Sequence, residues 1–117
     1  MKVTQESWPN SPMPARRQRM TLERHYRADE YARLAGGHLP HDMGDRWFMW
    51  AGNDHVVHFH RSWSGFEIYE LRLRPSDAGD GYDVAEVWVN DDPDQYQPDP
   101  DLDEALIGSM VDHFAHR

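Results

Sequence analysis

The hydrophobic positions change period twice along the chain. From Thr21 to Leu34 the residues Leu22, Tyr26, Ala28, Tyr31, Ala32 and Leu34 recur at spacings that predict a helix. Thr21 stands at its N-cap, and Gly36-Gly37 ends it. Glu23 with Arg27, and Asp29 with Arg33, add i,i+4 pairs in the favourable orientation. From Arg46 the period becomes two. Residues 46–51, 55–61, 66–74 and 82–90 read as four strands. Gly52-Asn53-Asp54, then Ser62-Trp63-Ser64-Gly65, then a polar stretch over 75–81 supply the turns between them. After an acidic, proline-containing loop, Asp101 is read as the cap of a last helix. In it Leu102, Leu106, Met110 and Phe114 recur every four residues.

Short connections between successive strands imply antiparallel pairing. The expected fold is therefore α+β: a four-stranded antiparallel meander packed against an N-terminal and a C-terminal helix, in two layers. Residues 1–19 carry Pro9, Pro12 and Pro14, then Arg16, Arg17 and Arg19. They read as a flexible arm whose Trp8 docks on the body, leaving residues 20–117 as a single domain.

Composition narrows the function. The chain has 117 residues and no cysteine, which removes disulfide frameworks, Cys-based zinc sites and thiol nucleophiles. No apolar run approaches the ~20 residues of a membrane span, and the first residues lack the hydrophobic centre of a signal peptide. A cytoplasmic protein is expected. The net charge of −9 is unevenly placed. Residues 1–74 hold eleven basic and nine acidic side chains, whereas residues 75–117 hold Arg117 alone against twelve acids. The total disfavours nucleic acid as a partner. It leaves room for a small anion on the first half and for a basic protein on the second. An incompletely covered, aromatic-rich sheet face also offers a surface for a homodimer.

The densest cluster of chemistry-bearing residues is His55-Val-Val-His-Phe-His-Arg-Ser-Trp-Ser-Gly65. On a strand, His58 and His60 share one face with Val56, while Arg61 points the other way with Val57 and Phe59. Three readings follow. In the first, Arg61 offers a planar fork of donors to a phosphate or carboxylate, Ser62 and Ser64 add hydrogen bonds, and Trp63 stacks on a flat ring. In the second, His-x-His with Glu67 or Glu70 holds a metal. The cupin pattern also begins with His-x-His on a strand, but here the Glu comes too late and no downstream Gly-rich partner motif follows. In the third, His58 or His60 with Glu67, Glu70 or Asp45 forms a proton-transfer pair. No Walker A, GxSxG, HExxH or dinucleotide fingerprint is present.

The stretches Asp45-Arg-Trp-Phe48, His58-Phe-His-Arg-Ser-Trp-Ser-Gly65 and Ile68-Tyr-Glu70 together resemble small bacterial domains that share a strand–FHRSW(S/T)G–strand pattern. Such domains are associated with proteins that handle ADP-ribose or related nucleotides. The resemblance implies a nucleotide-type ligand and fixes no catalytic residue. The acidic run over 91–104 fails the EF-hand pattern, because Met110 stands where the closing Glu belongs. It reads either as a solvated loop or as an acidic face of the kind immunity proteins and antitoxins use.

The reading adopted is binding, with processing as an extension, of a small anionic nucleotide-type ligand. Arg61, Ser62, Trp63 and Ser64 bind it, and His58, His60 and Glu70 carry the proton chemistry. No cofactor and no metal are assigned. The alternative is an acidic protein-interaction module without a small ligand, contacting a basic partner through residues 91–104.

Overall fold

Alternation of apolar residues on strands and a wider apolar stripe on a helix are satisfied together when a sheet lays one face on helices. The structure, a computed structural model describing residues 2–117, does this with six strands and two helices. Strands β1 (Arg17–Met20) and β2 (His25–Tyr26) precede helix α1 (Ala28–Ala35). Strands β3 (Trp47–Ala51), β4 (Val56–Arg61), β5 (Glu67–Pro75) and β6 (Tyr82–Asn90) follow, and α2 (Pro100–Ala115) closes the chain. The sheet order is β1-β6-β5-β4-β3, antiparallel throughout, with β2 also paired to β6.

The expected α+β meander of β3 to β6 is present, but the sheet has six strands rather than four. The added strands come from the segment read as arm and helix. Leu22 and Tyr26 are both buried, and their spacing of four fits a helical stripe and a period-two strand equally well. Edge pairing with β6 takes the segment: Arg17–Met20 runs against residues 87–90, and His25 and Tyr26 lie against Asp83 and Tyr82. The expected Glu23–Arg27 pair does not form; Arg27 stands as the extended N-cap of α1 and pairs with Asp29 and Glu30. The Asp29–Arg33 pair does form, at 3.3 Å.

Helix α2 also begins differently. Asp99, not Asp101, is its N-cap, accepting from the Leu102 N–H. Pro100 then takes the first helical position, where its missing N–H leaves no bond unmade. This start turns Leu102 outward and Asp103 inward. The buried stripe of α2 is thus Asp103, Ile107, Gly108, Met110, Val111, Phe114 and Ala115. It meets Met49, Ala51, Val57, Phe59, Tyr69, Leu71, Val87 and Val89 from the sheet. The strand residues in between (Trp50, His58, His60, Glu70, Arg72, Trp88) point to the opposite face. Among the described residues no helix is long and apolar enough to cross a membrane.

The N-terminal segment crosses the end of the sheet instead of leaving it. Val3 is buried and donates to the Gly36 carbonyl. Trp8 docks as expected, its indole N–H donating to the Ser62 carbonyl at 2.8 Å. Ser11 donates to the Gly65 carbonyl at 2.9 Å.

Candidate functional site

The turn 62–65 reverses the chain between β4 and β5, and Gly65 makes it possible. Its φ is +77°, and a Cβ there would stand 2.9 Å from the Pro9 carbonyl oxygen. Only glycine lets the turn close and the N-terminal segment pass against it. The hairpin register that pairs Trp47 with Arg61 brings Arg46 opposite Ser62, whose N–H donates to the Arg46 carbonyl at 2.8 Å. The loop before β3 is braced in turn by Asp45, which accepts from the His38 ring at 2.8 Å and from the His41 N–H.

Between this loop and the turn lies a pocket of about 300 Å³ lined by Met43, Gly44, Arg46, Arg61 and Trp63. The Arg61 guanidinium stacks 4.4 Å over the Trp47 ring. That contact fixes its plane and leaves its N–H fork free. Among the described residues neither Arg46 nor Arg61 makes an ion pair or a side-chain hydrogen bond. The Trp63 side chain is 72% exposed, and its indole N–H donates to the Met43 carbonyl at 3.1 Å. A flat aromatic surface and two unneutralised guanidinium groups therefore border one concavity.

Ser62 and Ser64 do not join them. Ser62 is buried, and its hydroxyl donates to the Asp45 carbonyl at 2.9 Å. The Ser64 hydroxyl accepts from the Phe66 N–H at 3.2 Å. Both hydroxyls close the corner. Sequence reasoning missed Arg46, Met43 and Gly44. Their signal was the hairpin itself: a turn centred near Asn53–Asp54 sets Arg46 across from Ser62.

His58, His60 and Glu70 lie on the other face of the sheet, as their parity requires. They belong to a second cluster. The His58 Nδ1 is 2.8 Å from Glu67 Oε2 and 4.0 Å from Glu70 Oε1. The Trp50 ring stacks on His58 at 4.0 Å. Trp50 donates its indole N–H to His60 Nε2 at 3.0 Å, and His60 Nδ1 lies 3.0 Å from the Gly65 carbonyl oxygen. These bonds require a neutral imidazole with its proton on Nδ1. Burial holds the His60 pKa down at about 4, against a smaller upward pull from the Gly65 carbonyl. Burial raises the pKa of Glu67, opposed by the hydrogen bond from His58. His60 is therefore a neutral structural link between Trp50 and the turn, while His58 is the imidazole that faces carboxylates.

The acidic loop is partly absorbed by folding. Asp91 accepts from Gln18, Asp92 from the Asp94 N–H, and Asp99 caps α2. Asp103 accepts from both Tyr69 and Tyr96. Comparison with protein-family models, with curated proteins and with solved structures finds no match for this chain.

Proposed function

We propose that the protein binds a small anionic ligand bearing a flat ring, of nucleotide type, in the pocket between loop 38–46 and turn 62–65. The observation that carries this reading is the pair Arg46 and Arg61, which line the pocket without a carboxylate partner. Two guanidinium groups bordering one cavity repel each other and gain from an anion between them. Trp63 then supplies a stacking surface for a base or similar ring, and its exposure makes no sense as core packing. In this reading Ser62 and Ser64 shape the turn, and the proton chemistry assigned to His58, His60 and Glu70 is not within reach of the ligand.

A thermal-shift screen with nucleoside monophosphates, ADP, ADP-ribose and sugar phosphates tests the proposal, because a ligand selective for the native state raises Tm. Arg61→Ala is expected to weaken the best ligand by roughly 2–3 kcal/mol. Trp63→Ala is expected to weaken ring-bearing ligands by about 1–3 kcal/mol while leaving inorganic phosphate unaffected. It should also change stability by less than about 0.5 kcal/mol, as an exposed side chain. Unchanged affinity in a folded Arg61→Ala variant removes the clamp and the proposal with it.

A further inference from the structure

On the sheet face opposite the pocket, His58, Glu67 and Glu70 each offer one donor atom, and the three atoms lie within 4.8 Å of one another. We propose that these three residues bind one divalent first-row transition ion of the zinc type. The donor set, one imidazole nitrogen and two carboxylate oxygens, is borderline in softness and suits zinc or iron better than magnesium or calcium. A tetrahedral ion with bonds of ~2.0–2.1 Å holds its donors about 3.3 Å apart. The separations from His58 Nδ1, 2.8 Å to Glu67 and 4.0 Å to Glu70, straddle that value. Small side-chain rotations therefore close the site without moving a strand.

The surroundings orient two of the three donors, Glu70 and His58. Glu70 is held by its other oxygen: Oε2 is 3.1 Å from Arg72 Nε and 3.9 Å from an Arg17 nitrogen, which leaves Oε1 facing His58. The His58 ring plane is set by Trp50, which is itself tied through His60 to the Gly65 carbonyl. A fixed outer shell of this kind is what orients metal ligands before the ion arrives. The side chains of His58, Glu67 and Glu70 are 14%, 3% and 10% exposed. The site is thus largely enclosed, with His58 the most accessible of the three. Binding through Nδ1 moves the His58 proton to Nε2, and the ion takes over the place of the His58–Glu67 hydrogen bond.

The second candidate cluster, His38, His41 and Asp45, serves as the internal control. There one Asp45 oxygen already accepts from the His38 ring and the His41 N–H, and the loop it braces borders the pocket.

Calorimetric titration of the full chain with zinc chloride is expected to show one site per chain. His58→Gln and Glu70→Gln should each weaken it by at least about tenfold, and His41→Ala should leave it unchanged. Addition of substoichiometric paramagnetic Co²⁺ to the wild-type chain needs no variant. It should broaden the His58 ring and Trp50 indole NMR signals first. Absence of stoichiometric zinc binding, zinc affinity retained in folded His58→Gln and Glu70→Gln, or broadening centred on His38 and His41 overturns the proposal.

Discussion

Replacing Asp103 by alanine is expected to destabilise the fold by about 3–5 kcal/mol, because it removes a buried carboxylate that accepts three hydrogen bonds, each bond to a charged group being worth roughly 1.5–3 kcal/mol before the site relaxes. Asp103 is 1% exposed. Its Oδ1 accepts from the Tyr69 hydroxyl at 2.6 Å and from the Tyr96 hydroxyl, and its Oδ2 accepts from the Asp99 N–H at 2.8 Å. One carboxylate thus ties the centre of β5, the loop after β6 and the first turn of α2. Its removal leaves the buried Tyr69 hydroxyl with only the Tyr96 oxygen, 3.4 Å away, as an acceptor. Burial already raises the pKa of both tyrosines, and Asp103 raises it further, so both remain donors through the neutral range. Asp103→Asn keeps an acceptor oxygen and should lose markedly less. Urea unfolding of both variants measures the difference. A loss below about 1 kcal/mol in the alanine variant means the hydroxyls find other partners, and the network is not the tie between α2 and the sheet.

The same residue shows where sequence reasoning stops. In the stripe of α2, position 102 is leucine and position 103 is aspartate, so periodicity alone puts Leu102 inside. What decides otherwise is the choice of N-cap, Asp99 before Pro100, and the two tyrosine hydroxyls that come from residues 34 and 7 positions away. Neither hydroxyl belongs to the local pattern. The central strands were legible because both signals agreed there: period two between turn residues, with aromatic and branched side chains on one face. Strands β1 and β2 were not, because a short edge strand takes its definition from its partner β6 and carries little periodicity of its own.

The candidate sites divide in the same way. Parity alone separates Arg61 from His58 and His60, and the structure keeps them on opposite faces. The position of Trp63 was not legible: an indole in this turn fits the core edge as well as solvent, and only the structure shows it exposed. The pairing of Arg46 with Arg61, and the chain from Gly65 through His60 and Trp50 to His58, depend on hairpin register and on a bulge between β4 and β5 at Phe59/His60. The bulge sets Glu67, not Ile68, opposite His60 and so delivers the second carboxylate to the histidine face. An extra residue in one strand has no signature in hydrophobic pattern when that residue, Ile68, is itself apolar and buried.

Acidification from pH 7 to pH 4 is expected to cost roughly 3 kcal/mol of stability through His60 alone. The folded-state value of about 4 lies below the ordinary 6.5, and each pH unit of that gap corresponds to ~1.4 kcal/mol. In this window the unfolded chain binds a proton at His60 and the folded chain does not. The contribution is therefore fully present above pH 6.5 and is lost as pH falls toward 4. Glu67 acts in the opposite sense. Burial raises its folded value above 4.5, so its contribution is present in acid and lost as pH rises through that value, which blunts the total slope. His60→Gln separates the two. Glutamine keeps an acceptor for the Trp50 indole and a donor for the Gly65 carbonyl, but it does not titrate, and the Glu67 contribution is shared by both proteins. Urea unfolding at pH 7 and pH 4 should show the wild type losing roughly 3 kcal/mol more than the variant across that interval. Equal losses would mean that the folded protein accommodates a charged His60. The bonds that run from Gly65 to His58 would then have to be rebuilt around an imidazolium.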